Sequence, residues 1–118
     1  MASFSLESKK IGETLLIKTH GYLDDVGGDV LKKNCDAALE QGTILFLINL
    51  QDTPVINSTG LSLLLDIVVQ VIDYNDGRVG LIGMNKLTRT ALQMTGVLSL
   101  CEEFSSESEG TSSFCKDP

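Results

Sequence analysis

The segment Thr43-Ile-Leu-Phe-Leu-Ile-Asn-Leu50 is a nearly unbroken apolar run of strand length, set between Gly42 and a loop, Gln51 to Asn57, that contains Pro54. A strand with one face in water alternates apolar and polar side chains. One that is apolar at almost every position belongs in the middle of a sheet, with both faces covered. The rest of the chain has to supply neighbouring strands and covering helices for it.

The flanking segments read accordingly. Ser3 to Ser8 and Thr14 to Thr19 are short, partly alternating stretches separated by Lys9-Lys-Ile-Gly12, which predicts an opening β-hairpin. Val30, Leu31, Cys35, Ala38 and Leu39 recur at helical spacing ahead of Gly42, a C-cap glycine, and predict a helix from about Gly28 to Gln41. From Ser58 the period is helical again, with Ser62, Asp66, Gln70 and Asp73 on one polar stripe and Leu61, Leu64, Leu65, Val68 and Ile72 opposite. Leu63 and Val69 border that stripe. Asn75-Asp76-Gly77 marks a turn before a strand from Arg78 to Met84. Asn85 caps a short helix through Met94, with Leu87, Ala91 and Met94 as its buried face and Gly96 as its end. Val97 to Phe104 holds a last short strand. The polar segment beyond, Ser105 to Pro118, offers little to bury and predicts a flexible tail.

A hairpin followed by alternating helices and strands makes the class α/β or α+β, with one mixed sheet whose parallel neighbours are joined by helical crossovers. The 118 residues suffice for one hydrophobic core and are too few for two. The domain therefore takes residues 1–104 and the tail 105–118.

Several functions are disfavoured by composition. The net charge is −7, and between Asn34 and Gly77 there is no Lys or Arg, so the chain is not expected to bind nucleic acid. The uncharged stretch from Thr53 to Leu65 falls short of the roughly 18 residues of a membrane span, so no membrane insertion is expected. The opening Met-Ala-Ser-Phe-Ser-Leu-Glu has neither the basic start nor the apolar stretch of a secretory signal, and the cytoplasm is the expected location. Cys35, Cys101 and Cys115 show no paired spacing and have only His20 to join them, so no metal site is expected. No Gly-Lys dipeptide provides a phosphate loop, and Asn57-Ser58-Thr59-Gly60 lacks the leading glycine of a nucleophile elbow. A serine hydrolase would depend on His20, which reads as an ordinary strand-end residue. Asp24 and Asp25 read as solvated or helix-capping acids. No cofactor is expected, and no enzymatic activity.

Three segments together resemble the anti-sigma-factor antagonists, the founding group of the STAS family. Thr19-His-Gly-Tyr-Leu-Asp24 is similar to the family's strand-end glycine and aspartate motif. Ile48-Asn-Leu-Gln-Asp-Thr-Pro-Val-Ile-Asn-Ser-Thr-Gly-Leu61 is similar to its apolar strand, short loop and Asp-Ser-Ser/Thr-Gly-Leu signature. Leu87-Thr-Arg-Thr-Ala-Leu-Gln-Met-Thr-Gly-Val97 is similar to its late helix. The resemblance covers nearly the whole chain to Phe104 and implies a mixed sheet with helices packed mainly on one side. Asn57 stands where the family commonly has Asp, and the tail is a poor match to the family's closing helix.

Ser58 begins a helix and by itself reads as an N-cap. The resemblance adds a second, compatible role as a phosphorylated serine. It implies an interaction protein that binds an anti-sigma factor, itself a serine kinase, and frees a sigma factor. A PP2C-type phosphatase could reverse the modification, and ATP and magnesium would belong to the kinase. Asp24, Asn57, Thr59, Gly60, Leu61 and Leu63 are the expected partner-binding residues, on a chain that is a monomer or weak dimer. The competing reading is a STAS subunit of a transporter or larger signalling assembly, with no phosphorylation cycle.

Overall fold

The computed structural model describes residues Ser3 to Cys115. Strands β1 (Ser5–Ile11), β2 (Thr14–His20), β3 (Leu45–Asp52), β4 (Arg78–Ile82) and β5 (Glu102–Phe104) form one sheet in the order β1-β2-β3-β4-β5. The β1–β2 pair is an antiparallel hairpin and the remaining pairs are parallel. The helices are α1 (Asp25–Glu40), α2 (Ser58–Val69, widening into a π turn over Gln70–Tyr74), α3 (Lys86–Met94), the single turn α4 (Val97–Leu100) and α5 (Glu107–Cys115).

β3 is the central strand, and its alternate residues supply two cores. Phe46, Ile48 and Leu50 join Leu15 and Ile17 of β2, Val79 and Leu81 of β4, Leu31 and Cys35 of α1, and Leu64, Ile67 and Val68 of α2. Leu47 faces the other way and packs with Leu16, Ile82 and Phe114. Both faces are thus covered, as the composition of the strand requires.

Several boundaries differ from the sequence reading. Lys9, Lys10 and Ile11 are paired strand residues opposite Leu16, Leu15 and Thr14, because Gly12, with φ of 61°, lets the hairpin close in a two-residue turn. α1 starts three residues before Gly28, at Asp25, because Asp24 supplies its cap. Val97 to Phe104 is split into α4 and the three-residue β5.

On α3 the predicted buried face is turned outward: Leu87 is 62% exposed and Met94 82%. Leu92 and Thr88 face the core instead, and Thr88 tolerates burial because its hydroxyl donates to the Asn85 carbonyl at 3.2 Å.

The flexible tail expected from Ser105 is also corrected. Ser106 Oγ accepts from the Glu109 N–H at 3.0 Å and starts α5, while Glu109 Oε1 accepts from the Ser105 N–H at 2.8 Å. Gly110 lies close over Leu47, and Phe114, 2% exposed, meets Phe104 edge to face at a centroid distance of 5.6 Å. Arg78 lies over the Phe114 ring at 4.6 Å while its guanidinium donates twice to Glu102. Asn49 Nδ2 donates to Glu107 Oε2 at 2.8 Å, which fixes the start of the helix. Residues 116–118 of the expected tail lie outside the described residues.

Candidate functional site at the start of α2

The loop from β3 to α2 is tied down at almost every residue. Gly21 N–H donates to the Asp52 carbonyl at 2.9 Å, and Thr53 N–H to the Leu50 carbonyl at 3.0 Å. The buried hydroxyls of Thr19 and Thr53 are 2.5 Å apart. Leu23 forms an isolated parallel bridge with Ile56: its N–H donates to the Val55 carbonyl at 3.0 Å, and its carbonyl accepts from Asn57 N–H at 3.1 Å. The loops leading into α1 and α2 are therefore zipped together, and both helices start from that zipper.

Each start is capped by an Asx side chain. Asp24 Oδ1 accepts from Gly27 N–H at 2.9 Å, and Asn57 Oδ1 accepts from Gly60 N–H at 2.8 Å. The expectation that Ser58 is the cap is thereby corrected. Asn57 has the extended backbone of a cap residue, with φ of −92° and ψ of 178°, and Ser58 is already the first helical residue. Asn matches Ser in cap preference, so residue type alone does not separate the two.

The expected partner-binding residues occupy different depths. Ser58 and Thr59 are exposed, whereas Asn57 and Asp24 are half-buried and spend a side-chain oxygen on their caps. Gly60 is buried, and a Cβ there would fall well inside contact distance of the Leu23 carbonyl oxygen and 2.7 Å from its carbon. Its part is to let α2 lie against the 23–24 backbone, so it presents nothing to a partner. Leu63 is half-buried over Gly28, on the α1 side. Leu61 turns to the opposite side, where a groove of about 470 Å³ runs between α2 and α3. Ile56, Leu61, Leu65, Ala91 and Met94 line it, with Ser58 at its end. Ile56, Leu65 and Met94 were not among the expected site residues, because the 87/91/94 stripe of α3 reads as core when helical period is the only guide.

The first turn of α1 holds the acid Asp25, and the first turn of α2 holds none. The exposed N–H groups and positive dipole end of α2 are consequently uncompensated by any charge of its own. Elsewhere His20 and two of the three cysteines are occupied or suppressed, and the third, Cys115, is exposed at the end of α5. His20 Nδ1 lies 3.1 Å from Asp52 and Nε2 3.7 Å from Glu7. Burial pushes the thiols of Cys35 and Cys101 up to about 12, far from the thiolate form at neutral pH. Among the described residues no cluster of His, Cys, Asp and Glu could hold a metal ion, and no helix is long and apolar enough to cross a membrane.

The sequence matches the STAS domain family over residues 5–110. Among curated proteins, none matches the chain. Similar solved structures include the anti-sigma factor antagonist SpoIIAA in its unphosphorylated form, with TM-score 0.82 and 18% identity over 97% of this chain and 99% of that one. The phosphorylated form of SpoIIAA, the Bacillus cell fate determinant, aligns with TM-score 0.74 and 22% identity over 95% and 99%. A sulfate transporter family protein from Wolinella succinogenes aligns with TM-score 0.72 and 19% identity over 85% and 83%. The mixed sheet, the helices packed mainly on one of its faces and the family match over nearly the whole chain make this protein a member of the STAS domain family.

Proposed function

We propose that the chain is an anti-sigma factor antagonist controlled by phosphorylation of Ser58. In the unphosphorylated state it binds an anti-sigma factor that is also a serine kinase and so frees a sigma factor; phosphorylation releases the complex. The observation that carries this reading is the exposed Ser58 hydroxyl on an acid-free first turn, at the end of an apolar groove and relieved of capping duty by Asn57. A phosphate there would bring about −1.5 to −2 charge to free N–H groups and the positive end of a helix dipole, so the fold keeps its stability. The same dianion lies where a partner seated in the groove must pass, and it is that partner's surface which has to give way.

Ser58 is the acceptor in preference to Thr59, whose β-branch makes it stiffer. The protein acts by binding, as a monomer or weak dimer. The kinase supplies ATP and magnesium, and a PP2C-type phosphatase restores the hydroxyl. The resemblance to SpoIIAA in both phosphorylation states supports this reading at the level of fold. A second reading, a STAS module of a transporter assembly, is favoured by the similarity to the Wolinella protein. Incubation with an anti-sigma factor of the GHKL-type serine-kinase class, with ATP and magnesium, decides between them. Mass spectrometry is expected to place one phosphate on Ser58, and none should appear on Ser58→Ala. Absence of any transfer, or phosphate confined to Thr59, would contradict the assignment.

A further inference from the structure

We infer that Asn85 is a positioning residue that sets the groove wall against the Ser58 loop; this rests on the reading of Ser58 and its groove as the partner site. The side chain is used at both ends. Oδ1 accepts from Thr88 N–H at 2.8 Å and caps α3, while Nδ2 donates to the carbonyl of Pro54 at 3.0 Å. Pro54 lies in the loop, Thr53 to Asn57, that leads into Ser58, and α3 carries Ala91 and Met94, the groove wall facing Leu61 and Leu65.

No strand pairing joins the two. Pro54 donates nothing to the ladder, and after β4 the chain leaves the sheet through Gly83, which has φ of 76°. Among the hydrogen bonds of the described residues, the Asn85 amide is the link between the start of α3 and the β3–α2 loop. A cap by Asp or Ser would serve α3 as well, but a carboxylate has no proton to donate to Pro54, and the shorter serine has one hydroxyl where asparagine has separate accepting and donating ends. What asparagine adds is the register between helix and loop, held before any partner arrives, and preorganisation of this kind lowers the cost of binding.

Amide hydrogen exchange on the free protein tests this without a partner. In Asn85→Ser and Asn85→Asp the amides of Thr88 and Arg89 are expected to exchange as in the parent, because the cap survives. The amides of Leu23 and Asn57, which zip the loop, should exchange roughly three- to tenfold faster, the loss of one solvent-accessible hydrogen bond. Unchanged exchange at Leu23 and Asn57 would overturn the inference. Equal acceleration in α3 and the loop would also overturn it, since Asn85 would then be a cap and nothing more. Failure of Ser58 to take phosphate would remove the functional reading and leave these rates untouched, so the two can fail separately.

Discussion

The chain writes nearly the same four-residue start twice, as Asp24-Asp25-Val26-Gly27 at α1 and as Asn57-Ser58-Thr59-Gly60 at α2. In both, an Asx side chain accepts from the N–H of a buried glycine three residues on. The positions between cap and glycine differ. At α1 they hold a carboxylate and an exposed valine; at α2 they hold two exposed hydroxyls and no charge. One construction therefore yields a helix start already compensated by its own acid and another left open to a negative charge from outside. Capping and close approach belong to the architecture at both sites, and the charge of the cap and the intervening pair separate the proposed switch from a support.

The largest expected difference lies at the glycines. Gly60→Ala drives a methyl into the Leu23 backbone, which cannot swing aside, and should cost about 3 kcal/mol. Gly27→Ala meets chiefly the Phe4 ring, at 2.7 Å, which can turn; its gain in helix propensity of about 1 kcal/mol offsets part of the clash. Urea denaturation of the two variants compares them, and equal losses would mean that the zipper between the loops is softer than described.

Next in size are the caps. Asn57→Ala and Asp24→Ala should each lower stability by about 0.5–2 kcal/mol, measured in the same way, and a neutral Asn57→Ala would return the cap to Ser58. Asn57→Asp keeps the cap and adds charge at an acid-free turn, so it should gain about 0.3–1 kcal/mol at neutral pH and low salt. A carboxylate favoured in the folded state has its pKa lowered there, so the gain is present above the ordinary carboxylate range and disappears as pH falls through the folded value. A gain that persisted at acid pH would have another origin. The smallest effect belongs to Ser58→Ala, expected within about 0.5 kcal/mol of the parent in thermal unfolding, because the exposed hydroxyl does not cap the helix.

Much of this was legible in the residues. The run around Phe46 and Ile48 required a central strand, and the order of periods after it required parallel neighbours. The start of α2 at Ser58 followed from its stripe. The cap was misassigned because Asn57 and Ser58 are equally good candidates in sequence, and only backbone angles decide between them. The outward face of α3 escaped because a stripe of Leu87, Ala91 and Met94 has the same period whether it meets core or solvent. α5 was missed although the apolar strand already called for cover on its second face. Ser106 and Glu109 stand at capping-box spacing, and Phe114 is the one large apolar residue the helix offers to Leu16, Leu47 and Ile82. A short polar helix that docks through one aromatic ring and a buried glycine leaves almost no periodic signal.

Under the proposed function, charge at Ser58 acts on a partner and leaves the fold unchanged. Isothermal titration of an anti-sigma factor of the serine-kinase type, against the unphosphorylated and the Ser58-phosphorylated chain, paired with thermal unfolding of both forms, puts this to the test. A loss of affinity of at least tenfold, about 1.4 kcal/mol, is expected, with melting temperatures that match closely. Equal affinities, or a loss of affinity accompanied by unfolding, would contradict it.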